Sequence, residues 1–204
     1  MKKLTLVAAF IGLGLSVFAG QPKGNKTGES VKIDAKASTL KWHAKKVTGE
    51  HFGTVNVAGG NISIDKGSIT GGTIEVDMTS VNVTDLEGEY KGKLEGHLKS
   101  DDFFSVEKNT RAILVLKKVE AIKGAKTAEN YNVTADLTIK GITNEVTFPA
   151  IIVVKGKAVT ANADFNIDRT KWDIKYGSKS FFEGIGDKAI DNDFNIKVRV
   201  VAGK

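Results

Sequence analysis

The sequence predicts an all-β protein, an extended antiparallel β-barrel of about eight strands with one short flanking helix. The clearest evidence is Tyr131 to Ile139, where apolar and polar side chains alternate strictly, as in a strand with one buried face. Gly141 ends this run, and a second alternating run from Val146 to Val154 makes the pair an antiparallel hairpin. Similar runs recur along the chain, and a sheet of so many strands must close or form two layers to protect its edges.

The first residues have the layout of a secretory signal peptide. Two lysines precede an apolar run that ends at the small residue Ala19. We therefore expect residues 1–19 to be a cleaved signal, residues 20–30 a flexible leader, and residues 31–204 a single domain. This layout predicts a location in the periplasm or outside the cell. The chain contains no cysteine, which excludes disulfides and a lipid-modified cysteine anchor.

Seven further runs are typical of strands because apolar residues recur on one face or dominate the run. In chain order they are Leu40–Ala44, Phe52–Val57, Asn61–Asp65, Ile69–Met78, Ala112–Val119, Val159–Ile167 and Phe194–Val200. The dense apolar run from Ala112 favours a strand buried on both faces or beneath the helix. The glycine pairs at positions 59–60 and 71–72 indicate turns, bulges or bends in a strongly curved sheet. Thr170–Ala189 is irregular.

One helix is predicted, over Leu86–Lys99. The preceding segment Thr84–Glu87 fits a capping box, in which the Thr and Glu side chains satisfy free amides. Glycines at positions 88, 92 and 96 each cost up to roughly 1 kcal/mol relative to alanine, so we expect a short or irregular helix that approaches the barrel closely at these glycines. An apolar stripe should pack against one end of the sheet; it consists of Leu86, Tyr90, Leu94 and Leu98.

Alternation does not distinguish a barrel from a sandwich, but the sizes of the inward residues favour a barrel with internal space. Large side chains such as Trp42 and Phe165 share the inward face with Ala161 and Ala163. A barrel of about eight strands is just wide enough to hold one slender ligand when interior side chains are small. The alternative is a filled core in which the alanines face large residues, as close packing of interiors would favour. Both interpretations stay open at this point.

Several ordered stretches resemble the YceI-like proteins, exported bacterial proteins with a lipocalin-like barrel that are also called polyisoprenoid-binding proteins. The matching stretches, in order between about Val31 and the end of the chain, are Val47–Gly53, Asp77–Val81, Leu94–Phe104, Leu137–Thr143 and Phe165–Trp172. The resemblance implies a lipocalin-like barrel whose apolar interior binds a long isoprenoid or another amphiphile. It implies no established catalytic chemistry, and it carries over no defined ligand-contact motif because the interior is hydrophobic and variable.

Candidate ligand-binding residues are mostly apolar, as in ligand pockets generally. The predicted lining of the apolar cavity comprises Trp42, Phe52, Val76, Phe103, Phe104, Val133, Leu137, Phe148, Ala161, Ala163, Phe165, Trp172 and Phe181, with core packing as the alternative role for each aromatic residue. Arg169 is a candidate for holding an anionic head group in a bidentate fashion, and its alternative role is an ion pair with a nearby carboxylate. Lys45 and His51 are further head-group candidates.

Other kinds of site have little support in the sequence. His43, His51 and His97 do not pair at metal-ligand spacing, so we expect no metal and no cofactor. Neither a nucleophile elbow nor a phosphate-binding loop occurs. There is no basic stripe with interleaved aromatic residues, which argues against nucleic acid. The net charge of +6 is compatible with transient contact with an anionic membrane surface.

The sequence therefore predicts a non-catalytic protein that binds, stores or transports a long isoprenoid, quinone or fatty-acid-like ligand in the barrel interior. Two alternatives stay open. One is a structural or stress-response barrel with a filled core that acts through its surface. The other is an enzyme acting on a lipid, which needs a histidine and a carboxylate or serine to converge at the cavity. The identity of the ligand, the pathway and the existence of a homodimer are not determined by the sequence.

Overall fold

The structure, a computed structural model, describes residues 28–124 and 128–203 of the chain. The predicted signal peptide and most of the predicted leader lie outside the described residues. The elements are β1 (Glu29–Lys32), β2 (Thr39–Lys46), β3 (Gly49–Asp65), β4 (Ser68–Val83), α1 (Gly88–Lys99), β5 (Arg111–Ala121), β6 (Tyr131–Ile139), β7 (Ile142–Lys155), β8 (Ala158–Asp168) and β9 (Ile190–Ala202), with short 3-10 helices at Arg169–Trp172 and Gly186–Lys188. No helix in the described ranges is both long and apolar enough to span a bilayer.

Eight strands, β2 to β9, form a closed antiparallel barrel. Each strand pairs with the next one along the chain, and β9 pairs with β2 to complete the ring. Closure satisfies the backbone groups that an open sheet would leave unpaired at its edges. The structure thus confirms the predicted all-β barrel, with one flanking α-helix in the part of the chain that it describes.

β1 lengthens the barrel wall without adding a ninth position to the ring. It pairs with the second half of β3, from Asn61 to Ile64, whereas β2 pairs with the first half. Between β1 and β2 the chain turns a corner, where Ser38 Oγ donates to the Asp34 carbonyl oxygen at 2.7 Å and accepts from the Val201 amide at 3.0 Å. β1 and β2 therefore occupy one position in the barrel, end to end.

β3 continues through Gly59 and Gly60, so the prediction of two separate strands here is wrong. The pairing register between β3 and β4 shifts after Val57, which marks a bulge. Gly60 has φ of +122°, and a Cβ atom there would lie 2.0 Å from the carbonyl oxygen of Thr73. The glycines therefore bend one long strand at a point where its backbone approaches β4 too closely for any side chain.

The predicted hairpin between β6 and β7 is confirmed. Its two turn residues, Lys140 and Gly141, have φ of 51° and 75°, as a two-residue turn between twisted antiparallel strands requires. The turn between β3 and β4 uses the same chemistry, with Lys66 at 48° and Gly67 at 77°. In both turns glycine takes the second position, where positive φ carries no steric penalty.

α1 packs on the barrel through little of its predicted apolar stripe. Leu98 packs against the core, but Tyr90 is 74% exposed. The helix is instead held by a polar contact, because the Glu95 carboxylate accepts a hydrogen bond from the Val83 amide at 2.9 Å. The sequence predicted that the whole apolar stripe would pack against the sheet, and this prediction is wrong for Tyr90.

The start of α1 also differs from the prediction. The N-cap residue is Glu87, which makes no side-chain capping bond. Asp85 of the predicted capping box accepts a hydrogen bond from the Phe52 amide instead, at 2.9 Å. A Cβ atom at Gly92 or Gly96 would meet no atom within 4 Å. The capping box and the close approach of these glycines to the barrel are therefore both wrong.

β5 is buried on one face only, which corrects the prediction of burial on both faces. Leu114 and Leu116 face the interior, while Val115 between them is 38% exposed. Inward and outward positions alternate along β5 as in any strand, but the sequence does not show it because residues on both faces are apolar.

Segments between strands cover one end of the barrel. Phe103 and Val106 follow α1, Trp172 and Ile174 follow β8, and all four are buried in one cluster with the strand residues. Trp172 Nε1 also donates to the Leu137 carbonyl oxygen at 3.0 Å. We call this region the capped end, and the segment that follows β8 enters it directly.

Candidate functional site: an apolar cavity inside the barrel

The barrel interior contains a cavity of about 210 Å³. All eight barrel strands contribute side chains to its wall, and Leu98 of α1 and Phe103 join the wall from the capped end. Among the described lining residues, only Asn162, Arg169 and Asp191 carry a charge or an amide side chain. A wall of this composition suits an apolar ligand with a small polar portion.

The cavity exists because small and large residues alternate around the inner face. Ala161 and Ala163 of β8 face inward but are only partly buried, because free volume lies beside them. Phe165, the next inward residue on β8, stacks its ring on that of Phe148 on β7. The two ring centroids lie 4.0 Å apart, and the angle between the ring planes is 5°. The described interior is therefore not filled, and the arrangement favours the cavity-bearing interpretation of the sequence.

Most of the predicted lining residues do surround the cavity. They are Trp42, Val76, Phe103, Phe104, Val133, Leu137, Phe148, Ala161, Ala163 and Phe165. These residues come from five strands and the segment after α1, so the fold brings together positions that are far apart in the sequence.

Three predicted lining residues lie elsewhere. Phe52 is 44% exposed because successive residues of β3 face opposite sides of the sheet, and its neighbour Gly53 occupies the inward position. Phe181 is 48% exposed, and the Lys175 ammonium lies 5.0 Å from the centre of its ring. Trp172 is 1% exposed and belongs to the packed core of the capped end, so it supports the wall from behind without lining the cavity.

Several residues of the cavity wall were not among the predicted lining residues. Phe194 and Ile196 alternate inward on β9, so the same pattern could have placed them in the wall. Leu114 was hidden in the dense apolar run of β5. Asn162 and Asp191 occupy positions that alternation assigns to the outer face, and the sequence carries no signal for their contact with the cavity.

Arg169 is the one cationic residue among the described lining residues. It is 4% exposed, and its guanidinium donates to the carbonyl oxygens of Ile174, Asp191 and Ile190 at 2.8, 3.0 and 3.1 Å. Burial lowers the pKa of Arg169 from its ordinary value, while the carboxylates of Asp168 and Asp191 act in the opposite direction. The group remains a cation at neutral pH because guanidinium is so basic.

The ion pair considered for Arg169 does not form with any described carboxylate. The adjacent Asp168 uses its carboxylate to accept from Thr170, from the amide at 3.0 Å and from the hydroxyl at 2.6 Å. A guanidinium has five N–H donors, and described protein atoms accept hydrogen bonds from three of those of Arg169. The structure thus holds a buried cation at the cavity through backbone carbonyls.

The other two head-group candidates lie outside the cavity. Lys45 is exposed on β2. The Nδ1 atom of His51 lies 2.7 Å from the carboxylate of Asp85, which also accepts from the Phe52 amide. Burial, the largest single influence, raises the pKa of Asp85, but the hydrogen bonds from Phe52 and His51 outweigh it and the pKa is lowered overall. This pair ties β3 to the segment that precedes α1.

The remaining histidines are also paired with carboxylates away from the cavity. His43 Nε2 lies 2.9 Å from Glu50, and His97 Nε2 lies 3.1 Å from Asp102. Across the described ranges, no three histidine, aspartate or glutamate residues group as a metal site would require. The chemistry that this cavity offers is therefore apolar contact, with polar groups at single points in the wall.

A closed eight-stranded barrel with such a cavity belongs to the class of β-barrels that enclose one small or slender ligand. The chain itself is a member of the YceI-like domain family, whose family model matches residues 31–202. The match confirms the resemblance seen in the sequence.

Curated relatives align over most of the chain. The chain is similar to a UPF0312 protein of Pseudomonas putida, with 30% identity over 205 residues that cover 97% of each protein. It is also similar to a UPF0312 protein of Serratia proteamaculans, with 27% identity over 153 residues that cover 75% of this chain and 71% of the relative.

Solved structures share the fold. Burkholderia cenocepacia BcnA superposes with a TM-score of 0.60 at 20% identity, covering 83% of this chain and 98% of BcnA. A polyisoprenoid binding domain from Saccharophagus degradans, implicated in plant cell wall breakdown, gives a TM-score of 0.58 at 15% identity, covering 85% and 97% of the two chains. At these identities the likeness concerns the architecture.

Proposed function

We propose that this protein binds a long apolar or amphiphilic lipid of the isoprenoid type inside the barrel, and stores or carries it. The observation that carries the proposal is the cavity inside the barrel, whose wall receives apolar side chains from all eight strands. The fold shared with a polyisoprenoid binding domain supports the same conclusion. Quinones and fatty-acid-like molecules fall within the same ligand class because they also combine a long apolar chain with a small polar end.

Burial of apolar surface supplies the binding energy. Each methylene group that moves from water into an apolar site contributes about 0.8 kcal/mol. A chain of roughly ten such groups therefore supplies about 8 kcal/mol before the costs of association are subtracted. Tight binding then requires a chain that fills the cavity and extends along the wall. Few hydrogen bonds are needed for affinity, so polar groups serve mainly to select the ligand.

Arg169 is our proposed contact for the head group of an amphiphilic ligand. It lies at the capped end, borders the cavity and keeps N–H donors beyond the three used by described carbonyl oxygens. A guanidinium recognises phosphate or carboxylate oxygens through paired N–H donors. Lys45 and His51 are not part of this proposal because one is exposed on β2 and the other is paired with Asp85.

The proposed role is non-catalytic and needs no cofactor or metal. General acid–base chemistry on a lipid would require a titratable group within hydrogen-bonding reach of it. Asp191 is the one carboxylate among the described lining residues, and it has no histidine partner there, because all three histidines of the chain contact carboxylates outside the cavity lining. We further propose that the protein acts in the periplasm or outside the cell, after cleavage of the signal peptide predicted from the sequence.

Mass spectrometry of the native protein tests the proposal. The protein should be purified without detergent from the exported fraction of its own host and extracted with organic solvent. We expect one prenyl lipid, quinone or fatty-acid species in roughly stoichiometric amount. An empty extract, together with no uptake of added prenyl lipids by the purified protein, would overturn the proposal.

A further inference from the structure

The segment between β8 and β9 holds two neighbouring phenylalanines in water. Phe181 and Phe182 are 48% and 49% exposed. Their amides donate to the Ser178 carbonyl oxygen at 3.1 and 3.0 Å, which folds the chain into a tight turn. The turn is fixed to β9, because the buried Ser178 hydroxyl donates to the Asn192 side chain at 2.6 Å. These hydrogen bonds keep both rings outside the core, where burial cannot stabilise the fold.

A second turn presents an exposed apolar residue at the same corner of the barrel. Val47, between β2 and β3, is 52% exposed, and its amide donates to the Ala189 carbonyl oxygen at 3.0 Å. Ala189 directly precedes β9 and Asn192 lies near its start, so both turns are attached to the same part of the barrel. We call the surface formed by Val47, Phe181 and Phe182, together with the exposed lysines of their two segments, the docking face. Single exposed apolar residues are ordinary, but a group of them marks an interaction site.

The charges around these apolar side chains favour an anionic partner. Five lysines are exposed in residues 45–48 and 173–188, namely Lys45, Lys46, Lys175, Lys179 and Lys188. The same two segments contain three carboxylates, those of Asp173, Glu183 and Asp187. Asp173 pairs with Lys175 at 2.5 Å, and the Lys175 ammonium also lies 5.0 Å from the centre of the Phe181 ring. Glu50, which follows on β3, lies 2.9 Å from His43. The docking face thus combines exposed apolar side chains with an excess of cations, as in proteins that lie on anionic membranes.

The docking face adjoins the capped end of the cavity. Ile174 near the start of the segment and Ile190 directly after it both line the cavity. Arg169 joins these two residues, because its guanidinium donates to both of their carbonyl oxygens. A bilayer in contact with the docking face would therefore lie against the capped end. A long apolar lipid is almost insoluble in water, so a protein that carries it must collect it from a membrane or deliver it to one.

We propose that the docking face binds the surface of an anionic lipid bilayer. Phe181 and Phe182 enter the boundary between head groups and acyl chains, and the lysines contact the lipid phosphates. This proposal rests on the proposed function, and it places the exchange of the ligand with the membrane at the capped end.

Vesicle flotation of the purified exported protein tests the proposal. Vesicles of phosphatidylglycerol and phosphatidylcholine in equal amounts should carry the protein at low salt, and vesicles of phosphatidylcholine alone should carry much less. Phe181→Ser with Phe182→Ser should lower the partition coefficient about tenfold or more, and Lys45→Gln with Lys46→Gln about fivefold or more.

Two matched controls change the same kinds of side chain elsewhere. Val115→Ser with Val153→Ser removes apolar surface from the outer wall, where the two residues are 38% and 45% exposed. Lys66→Gln with Lys155→Gln removes two exposed lysines from turns at the opposite end of the barrel. Both control proteins should bind the anionic vesicles within about twofold of the wild type.

A single fluorophore reports which surface meets the bilayer. The chain contains no cysteine, so Glu183→Cys places one label beside Phe182, and Lys155→Cys places one at the opposite end. Anionic vesicles should shift the emission of the label at position 183 to the blue and leave that at position 155 unchanged.

Three results would overturn the proposal. They are no binding of the wild type to the anionic vesicles, equal binding of the phenylalanine variant and the wild type, and a dimer of the wild type in gel filtration that the phenylalanine variant abolishes. Uptake of a prenyl lipid added from ethanol separates the two proposals, because it needs no bilayer. If the protein takes up this lipid but does not bind vesicles, the proposed function stands and the docking face fails. If it binds the vesicles through the docking face but takes up no prenyl lipid, the proposed function fails and the membrane contact stands.

Discussion

Filling the cavity from its own wall should abolish ligand binding while the barrel still folds. Ala161 lies on β8 between Ile152 and Val200 and faces the cavity. Ala161→Trp places an indole ring in a space of about 210 Å³. An apolar cavity of roughly 150 Å³ is enough to hold a benzene molecule, and indole is larger than benzene. One substitution therefore takes up most of the free volume.

The size of the effect follows from the contacts that the ligand loses. If the indole displaces roughly five methylene groups of the ligand, the loss is about 4 kcal/mol, or nearly a thousandfold in Kd. Overpacking costs the protein roughly 1–3 kcal/mol, against a typical stability of about 5–15 kcal/mol for a domain. The variant should therefore fold, with a lower denaturation midpoint and near-normal circular dichroism.

Uptake of a labelled prenyl lipid by gel filtration is a suitable assay. Val153→Trp is the matched control, because Val153 lies on the adjacent strand β7 and is 45% exposed on the outer face. This variant should bind like the wild type. If folded Ala161→Trp also takes up the lipid at the wild-type level, the ligand does not occupy the described cavity, and the argument from wall composition fails.

Three further substitutions test the supporting structure. Arg169→Met removes three hydrogen bonds to buried carbonyls and should lower the free energy of unfolding by about 3–5 kcal/mol, measured by urea titration; a change below about 1 kcal/mol would contradict the role given to these bonds. Gly53→Ala should sharply reduce soluble protein, because a Cβ atom would lie 2.0 Å from the Asn82 carbonyl oxygen; normal yield and stability would contradict this. The lowered pKa of Asp85 means that its stabilising effect is present above its ordinary value of 3.8 and is lost as the pH falls through the folded value. Asp85→Asn should therefore lower the free energy of unfolding at neutral pH and make it less dependent on pH in the acid range. An unchanged dependence would show that the pairing of Asp85 with His51 does not contribute to stability.

The wall of the cavity was largely predictable because a strand enforces a two-residue period. Val133 and Leu137 on β6, and Ala161 and Phe165 on β8, could be assigned to one face from alternation alone. The closure of the ring could also be argued, since a free edge is costly. These inferences hold because they depend on local geometry that every strand shares.

The predictions that failed depend on contacts between distant parts of the chain. Thr84–Glu87 has the composition of a capping box, but Asp85 pairs with His51 and Phe52, which are remote in sequence. Tyr90 fits an apolar stripe, yet α1 is held by Glu95 and leaves that face in water. Local patterns cannot reveal which partner a polar side chain will find.

The sequence also could not predict which individual side-chain donors form hydrogen bonds. Trp42 and Trp172 are both apolar positions in the sequence, and both were predicted to line the cavity. Only the fold shows that one ring donates to Leu137 while the other meets no described acceptor. The orientation of a ring is set by packing against neighbouring strands, which the sequence does not encode locally.

The pairing of β2 with β9 has a kinetic consequence. Strands that close the ring, as where Trp42 pairs with Ile196, come from opposite ends of the described barrel. All other barrel pairings join strands adjacent in the chain, so they form across shorter loops and at a lower entropic cost. Ring closure should therefore be the last step of folding. Until β9 pairs with β2, the chain exposes two unpaired edges and an apolar inner face, which makes this partly folded state prone to aggregation.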